Sequence, residues 1–482
     1  MKLSQLMEEM PDAYCAGGKD AEITSLCTDS RVAGDGDLYF CIRGTRVDSH
    51  EFARDAERRG VAAVVCERDL GLSCPQILVR DGREAMARMS AAFYNHPERA
   101  MKMVGVTGTN GKTTVTHMTR SILEAAGIKA GLIGTLGAKY ADRSVAPVLT
   151  TPDPVSLFSL LADMRKAGTE VVVCEVSAHA LALKKDCPIT YEAAVFTNLT
   201  QDHLDFFPDM QSYGRAKAKL FDPARCKYAV LNFDDPFGRR LSENGTPFCS
   251  FALDTPADAF ALIESETLKE TRVMLNLEDE LCETTIRMTG RHNVSNALAA
   301  AMTARRLGAG TEAISKGLSA MQGVDGRLEW VATFRGAEVF VDFAHTPDGL
   351  EKSLSALRAH CAGRLICLFG CGGNRDTGKR APMGETVARL CDFAVITSDN
   401  PRYEDPCEII AQVEKGFRRA SSSYVCVQER EKATEYALNL LDEGDILLVA
   451  GKGGEYYQEI MGIKYSYNDK TVIITAIGKL EE

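Results

Sequence analysis

The sequence predicts an α/β protein of three domains on mainly parallel sheets, and three observations lead there. An apolar run enters a glycine-rich loop at residues 104–111 and leaves as a helix. Apolar strands alternate with helical patterns through the middle of the chain, as in βαβ crossovers. Late in the chain, three apolar strands each break at once into a loop of small and charged residues. At 482 residues there is chain for about three domains of about 150 residues each. Residues 1–98 form a first unit with strand patterns at 37–42 and 61–66, a helical run at 49–59, and a close at Asn95-His96-Pro97-Glu98. A second unit, 99–327, holds the glycine loop and apolar strands at 171–176, 193–199 and 228–232. A third, 328–482, opens on Glu329-Trp330-Val331. Its strands at 365–369, 393–397 and 446–449 run into loops at 370–376, 398–402 and 450–455. In a doubly wound sheet such loops share the carboxyl edge, where ligands bind, so the three are expected to converge.

The glycine loop, Gly105-Val106-Thr107-Gly108-Thr109-Asn110-Gly111-Lys112-Thr113-Thr114, reads as a phosphate-binding turn. Glycines let backbone N–H groups face phosphate oxygens, Lys112 adds a mobile charge, and the Thr113 hydroxyl can ligate Mg²⁺ beside the helix N-terminus. Val115, Met118, Ile122 and Leu123 recur at helical spacing until Gly127. Val106 stands where the general pattern has glycine, so the loop is a variant.

Composition narrows the class. Hydrophobic residues at 45% and charged residues at 26% fit an ordinary globular protein. A net charge of −11 argues against a sequence-independent nucleic-acid binder. The acidic N-terminus is no signal peptide, and no apolar stretch nears the about 20 residues that span a bilayer, so a cytoplasmic protein with no membrane partner is expected. The 16 cysteines lie scattered without a C-x-x-C pair and read as reduced, mostly buried thiols. Phosphoryl transfer also needs metal ligands. Glu175 ends one strand and His203 follows another, although spacing alone leaves either as a satisfied buried polar group, and imidazole is an unusual partner for Mg²⁺.

Together with Glu175-Val176-Ser177, Asp202-His203-Leu204-Asp205, residues 341–348 and the three late loops, the glycine loop resembles the Mur ligases, in order and over the whole chain. The resemblance implies a first domain that holds a uridine nucleotide, a central ATPase and a Rossmann-like third domain that receives an amino acid. It implies UDP-sugar contacts at Ser30, Thr45, Arg46 and Val47, and muramyl-peptide contacts around Thr150, Thr151, Ser177 and Lys185. For ATP it implies Gly108, Thr109, Asn110, Gly111, Lys112, Thr113 and Thr114, with Asn293 and Asn296 at the adenine and Arg327 and Asp342 reaching phosphate and ribose. Thr113, Glu175, His203 and Lys217 become the Mg²⁺ ligands, Lys217 as a carbamate made with CO₂; Tyr213-Gly214-Arg215-Ala216-Lys217 carries that pattern, and only its register selects Lys217 over Lys219. Lys112, Glu175, His203 and Lys217 are the expected catalytic set.

The third domain's loops carry the choice of amino acid. Asp399-Asn400-Pro401-Arg402 resembles the motif of members that take meso-diaminopimelate rather than L-lysine. Diaminopimelate has one carboxylate more, and a guanidinium suits bidentate carboxylate recognition. Arg402 supplies that partner, Arg375 a second arginine, and Asp399, Glu455 and the Gly451 carbonyl are acceptors for the ammonium. The implied reaction joins meso-diaminopimelate to the D-glutamate γ-carboxylate of UDP-N-acetylmuramoyl-L-alanyl-D-glutamate through an acyl phosphate, in a monomer. A lysine-adding ligase, a folylpolyglutamate synthase and a non-catalytic nucleotide-dependent scaffold are the rivals. Departures from the family pattern fall at Leu183, Lys185, Phe207, Asn374 and Gly454, and predict altered substrate contacts rather than a lost active site.

Overall fold

The computed structural model describes residues 1–17, 20–44, 47–147 and 149–481. Two compact units form. One comprises 1–105, 129–194 and 222–227; the other comprises 106–128, 195–221 and 228–482. Each takes residues from more than one stretch of chain.

In the first unit a five-stranded sheet has the order Tyr14–Ala16, Gln76–Leu78, Ala63–Cys66, Asp37–Phe40, Ser25–Cys27. All its neighbours are parallel except the edge strand Tyr14–Ala16. Asp37–Phe40 and Ala63–Cys66 are buried at every position, because both faces are covered, which is why they read as unbroken apolar runs. Leu38, Phe40 and Val65 face one core with Leu3 and Met89; Tyr39, Val64 and Cys66 face the other with Ala53 and Ala56. The helical run at 49–59 resolves into a 3₁₀ turn Ser49–Phe52 and a helix Ala53–Arg58. The same unit holds a parallel pair, Val171–Glu175 and Ala130–Gly134, continued antiparallel by Gly137–Tyr140 and Arg143–Val145.

The second unit begins with the helix Lys112–Ala125, in which Val115, Met118, Ile122 and Leu123 are all buried. Ala229–Asn232 and Phe248–Phe251 pair in parallel, and then Ala259–Glu266, Thr271–Leu277 and Glu280–Ile286 form an antiparallel meander. This meander was not expected. Its signal is a plain alternation, with Thr271, Val273, Leu275 and Leu277 buried between more exposed neighbours.

A six-stranded sheet closes the same unit in the order Glu329–Phe334, Ala337–Asp342, Ile446–Ala450, Leu365–Phe369, Phe393–Ile396, Tyr424–Cys426. It is parallel apart from its first strand. Parallel neighbours end on one edge, so the loops after Phe369, Ile396 and Ala450 do converge. A hairpin, Tyr457–Ile460 with Ile463–Ser466, follows the last of them and was not expected. Among the described residues no helix is long and apolar enough to cross a membrane.

Candidate active site

The glycine loop turns between the strand Lys102–Thr107 and the helix that starts at Lys112. Gly108 and Gly111 have φ of +153° and +87°, and each has a second reason to lack a side chain. A Cβ at Gly108 would sit 1.8 Å from Thr197 Oγ1, and one at Gly111 2.5 Å from Asn296 Oδ1. Val106, the variant position, is buried within the strand. The loop is pinned by Thr109 N donating to Asn198 O at 2.9 Å and Asn110 N to Asn198 Oδ1 at 2.9 Å. Lys112 Nζ donates to the carbonyls of Gly108 and Thr109, both at 2.9 Å, and Arg327 Nη2 to Thr113 Oγ1 at 2.8 Å.

Lys217 joins them. It lies in the last turn of the helix Met210–Ala218, fully buried, with Nζ 2.8 Å from Gly108 O and 4.3 Å from the centre of the Tyr213 ring. Burial first, then the Lys112 ammonium, pushes its pKa well below the ordinary lysine value. Lys219, two residues on, is exposed. His203 has φ +60° and its Nε2 is 3.5 Å from Asp202 Oδ2. Burial would raise the Asp202 pKa, but His345 at 3.5 Å and Lys379 at 3.0 Å hold it well below the carboxylate range.

Beside this loop a cavity of about 590 Å³ is lined by Asn110, Gly111, Asn293, Asn296, Arg327 and Asp342, among others, a size suited to a nucleotide. Asn293 and Asn296 lie in the first turns of the helix Arg291–Arg306, both buried; Asn293 Nδ2 donates to Thr289 O at 2.8 Å and Asn296 Nδ2 to Asn293 Oδ1 at 3.3 Å. Asp342, its carboxyl raised by burial, accepts from Ala344 N at 2.8 Å and Ser353 Oγ at 3.0 Å. Asn110 Nδ2 donates to Asp348 Oδ2 at 2.7 Å.

In the first unit a second group forms around Glu175. Its carboxylate is buried and accepts from Thr135 N at 2.9 Å and Thr135 Oγ1 at 3.0 Å, and a Cβ at Gly134 would lie 2.2 Å from Oε1. Thr151 Oγ1 donates to Glu175 O at 2.9 Å and accepts from Ser177 N at 3.1 Å. Lys185 Nζ donates to Thr151 O at 3.1 Å, and burial lowers its pKa. Thr150 Oγ1 is 3.1 Å from Thr135 Oγ1. Thr150, Thr151, Glu175, Ser177 and Lys185 are thus one hydrogen-bonded cluster. Of the expected UDP contacts, Ser30 is half-buried and Val47 exposed; Thr45 and Arg46 lie outside the described residues.

On the far edge of the last sheet the three loops interlock. Asn400 Nδ2 donates to Glu455 Oε2, and the fully buried Lys452 Nζ donates to both Asn400 Oδ1 and Glu455 Oε2, each at 2.9 Å. Asp399 is buried; burial raises its pKa, yet Lys452 and Arg430 keep it below the ordinary value. A Cβ at Gly451 would lie 2.6 Å from Asp399 Oδ2, and one at Gly373 2.0 Å from Pro401 O. Arg402 and Arg375 both flank Gly372, whose Cβ would be 2.9 Å from Arg402 Nη1 and 3.8 Å from Arg375 Cγ. Arg375 is exposed. Arg402 Nη1 donates to Gly373 O at 2.8 Å and Nε lies 3.2 Å from Glu459 Oε2. The two bonds engage two of its three nitrogens, so the open fork expected from sequence is partly filled. Among the described residues no three His, Cys, Asp or Glu side chains gather closely enough to hold a metal unaided.

Comparison with known proteins places this geometry. Residues 22–94 match the profile described as "Mur ligase family, catalytic domain", 106–304 "Mur ligase middle domain" and 326–453 "Mur ligase, glutamate ligase domain". A curated relative from Geobacillus thermodenitrificans (strain NG80-2), named UDP-N-acetylmuramoyl-L-alanyl-D-glutamate--2,6-diaminopimelate ligase, is 39% identical over 99% of both chains. The chain belongs to the Mur ligase family. A relative of the same name from Gloeobacter violaceus (strain ATCC 29082 / PCC 7421) is 42% identical over 95% of each chain. A solved structure of an enzyme so named shares 27% identity with this Mur ligase, with a TM-score of 0.68 over 100% of both chains.

Three of the positions that depart from the expected family pattern make local contacts. A Cβ at Gly326 would fall 1.9 Å from Gly454 N, so the backbones at 326 and 454 touch there. Asn374 sits at φ +51° and accepts from Tyr403 N at 3.0 Å, tying two loops together. Phe207 packs on Tyr213, ring centres 5.2 Å apart. Thr135, Lys379, Lys452 and Glu459, not among the expected residues, each contact one of them or its neighbour. Lys452 alone had a signal, standing between glycines in Gly451-Lys452-Gly453.

Proposed function

We propose that this Mur ligase joins meso-diaminopimelate to the D-glutamate γ-carboxylate of UDP-N-acetylmuramoyl-L-alanyl-D-glutamate with ATP, in the cytoplasm and as a monomer. Its domains divide as 1–98 for the uridine nucleotide, 99–327 for ATP and 328–482 for the amino acid. One observation carries the ATP chemistry. Lys112, Arg327 and the Lys217 amine all reach the loop that also presents the helix N-terminus, each bonded to a loop carbonyl or to the Thr113 hydroxyl. The charges of Lys112 and Arg327 and the donors of the helix N-terminus at one turn suit a polyphosphate.

Thr113, His203 and Lys217 are the groups of this unit that would hold Mg²⁺, and in the other unit Glu175 carries the same proposed role. Hydroxyl, carboxylate and carbamate oxygens are the donors a hard cation prefers. Bound there, Mg²⁺ would neutralise charge on the phosphates. Lys217 is buried and driven toward the neutral amine, the form that attacks CO₂; the product carbamate is anionic and one proton is released. Lys112 and Arg327, both bonded within the loop, would hold the phosphates in line. A carboxylate oxygen of the substrate bonds to the γ-phosphorus as the bond to ADP breaks. The amine of the amino acid then attacks the acyl carbon, phosphate leaves, and the nitrogen gives up a proton. Asp399 and Glu455 are the acceptors set to orient that amino acid, with Arg402 for its second carboxylate. Ser30, Thr45, Arg46 and Val47 are assigned to the uridine nucleotide, and Thr150, Thr151, Ser177 and Lys185 to the muramyl peptide.

The test is phosphate release with the UDP-muramyl dipeptide and either meso-diaminopimelate or L-lysine. Turnover is expected with both ATP and diaminopimelate present. Preference for lysine would sink the assignment of Arg402, and no amino-acid-dependent turnover would favour a scaffold.

A further inference from the structure

The guanidinium assigned to the second carboxylate of diaminopimelate already holds a carboxylate of the chain itself. The hairpin strand Tyr457–Ile460 runs beside the loop that carries Arg402. Arg402 N donates to Glu459 O at 3.0 Å, Met461 N to Arg402 O at 2.6 Å, and Glu459 N to Asn400 Oδ1 at 2.9 Å. Residue 402 is thereby held at φ +54°, a conformation that non-glycine residues seldom adopt. This pairing puts Glu459 Oε2 3.2 Å from Arg402 Nε, with both side chains about four-fifths covered, at 17% and 21% exposure. The other arm of the guanidinium is fixed on Gly373 O at 2.8 Å. No other acid reaches Arg402 among the described residues.

We propose that Glu459 is a specificity-determining residue that moderates the preference for diaminopimelate over lysine. The inference rests on the proposed function. An arriving carboxylate must displace the Glu459 carboxylate or share one guanidinium with it, and two like charges so close in a covered site oppose each other. Lysine lacks that carboxylate, meets no such opposition, and leaves the Arg402–Glu459 pair intact. Without Glu459, lysine would leave Arg402 covered and unpaired, which is how a site built for a carboxylate rejects an analogue that lacks one. Glu459 is in effect a carboxylate supplied by the protein when the substrate brings none.

The test is Glu459→Gln, which keeps shape and hydrogen bonding but removes the charge. kcat and KM are measured by phosphate release for meso-diaminopimelate and for L-lysine in both proteins. We expect the ratio of kcat/KM for diaminopimelate to that for lysine to rise about tenfold, through KM for the amino acids, with kcat for diaminopimelate and KM for ATP within about twofold of wild type. A ratio within twofold of wild type, or a fall, overturns the proposal; a fall would mean that Glu459 merely orients Arg402. Glu459→Ala, expected to move the ratio the same way, covers the case in which the glutamine variant folds poorly. Wild type inactive with both amino acids refutes the proposed function instead, whereas an active wild type with unmoved variants refutes only the role of Glu459.

Discussion

Lys217 shows how one position on a helix acquires chemistry. It and Lys219 look alike in sequence, but Lys217 is buried under the glycine loop and Lys219 faces out. Burial pushes the Lys217 pKa well below the ordinary lysine value. Lys217→Ala is therefore expected to cut kcat by at least a hundredfold, with Lys219→Ala within threefold of wild type; equal losses would overturn the register. Wild type depleted of CO₂ should lose activity that bicarbonate restores. His292, which lines the cavity beside the glycine loop, gives a pH signature. Burial, and then the Lys352 ammonium, push its pKa down to about 4. The folded value lies below the unfolded value of about 6.5, so the unfolded chain binds the proton first as pH falls. Stability present above pH 6.5 is then lost between there and about 4. Melting temperatures of wild type and His292→Gln should converge as pH falls through this window; parallel curves would show that His292 is not the group responsible.

The loops of the last sheet are held as a set by buried ion pairs. Arg430, at the start of the helix Arg430–Asn439, donates to both carboxylate oxygens of Asp469 at 2.8 Å and to Ala450 O at 2.9 Å, entirely out of water. Asp469 opens the last helix, so the pair ties that helix to the strand end that feeds Gly451. Asp469→Ala leaves a buried guanidinium without its partner, and should cost about 3–5 kcal/mol in urea unfolding, far above an exposed pair. A loss under 1 kcal/mol would mean that water enters and replaces the carboxylate. At the opposite side of these loops, Arg380 is buried against Glu404 at 2.9 Å and Gln412 at 3.0 Å, and Lys379 reaches Asp202. The segment 370–380 is thus fixed at its 379–380 end by charges, none of which has a periodicity to read.

At the scale of the whole molecule, parts of the cavity proposed for the nucleotide come from residues far apart in the chain, from Asn110 to Asp342. A nucleotide that binds only this assembled state raises stability by mass action, about 2.7 kcal/mol at a hundred times its Kd. A non-hydrolysable ATP analogue with Mg²⁺ should raise the melting temperature by several degrees, less so after EDTA. No shift with the analogue would refute the cavity as the nucleotide site. Much of this was legible beforehand. Strands buried on both faces are continuous apolar runs, a glycine loop between strand and helix has few other uses, and parallel strands must end on one edge. These are local or topological consequences, so residues 102–125 and the three late loops could be placed from sequence. Which lysine is buried, that Asn400 and Glu455 are bound to each other and to Lys452, and that Glu459 covers Arg402 depend on contacts across tens of residues. The sequence alone determined the mainly parallel α/β class and the glycine loop between strand and helix, because periodicity and turn chemistry are short-range. Only tertiary structure decided the charge states and partners of the side chains, because burial and distance set those.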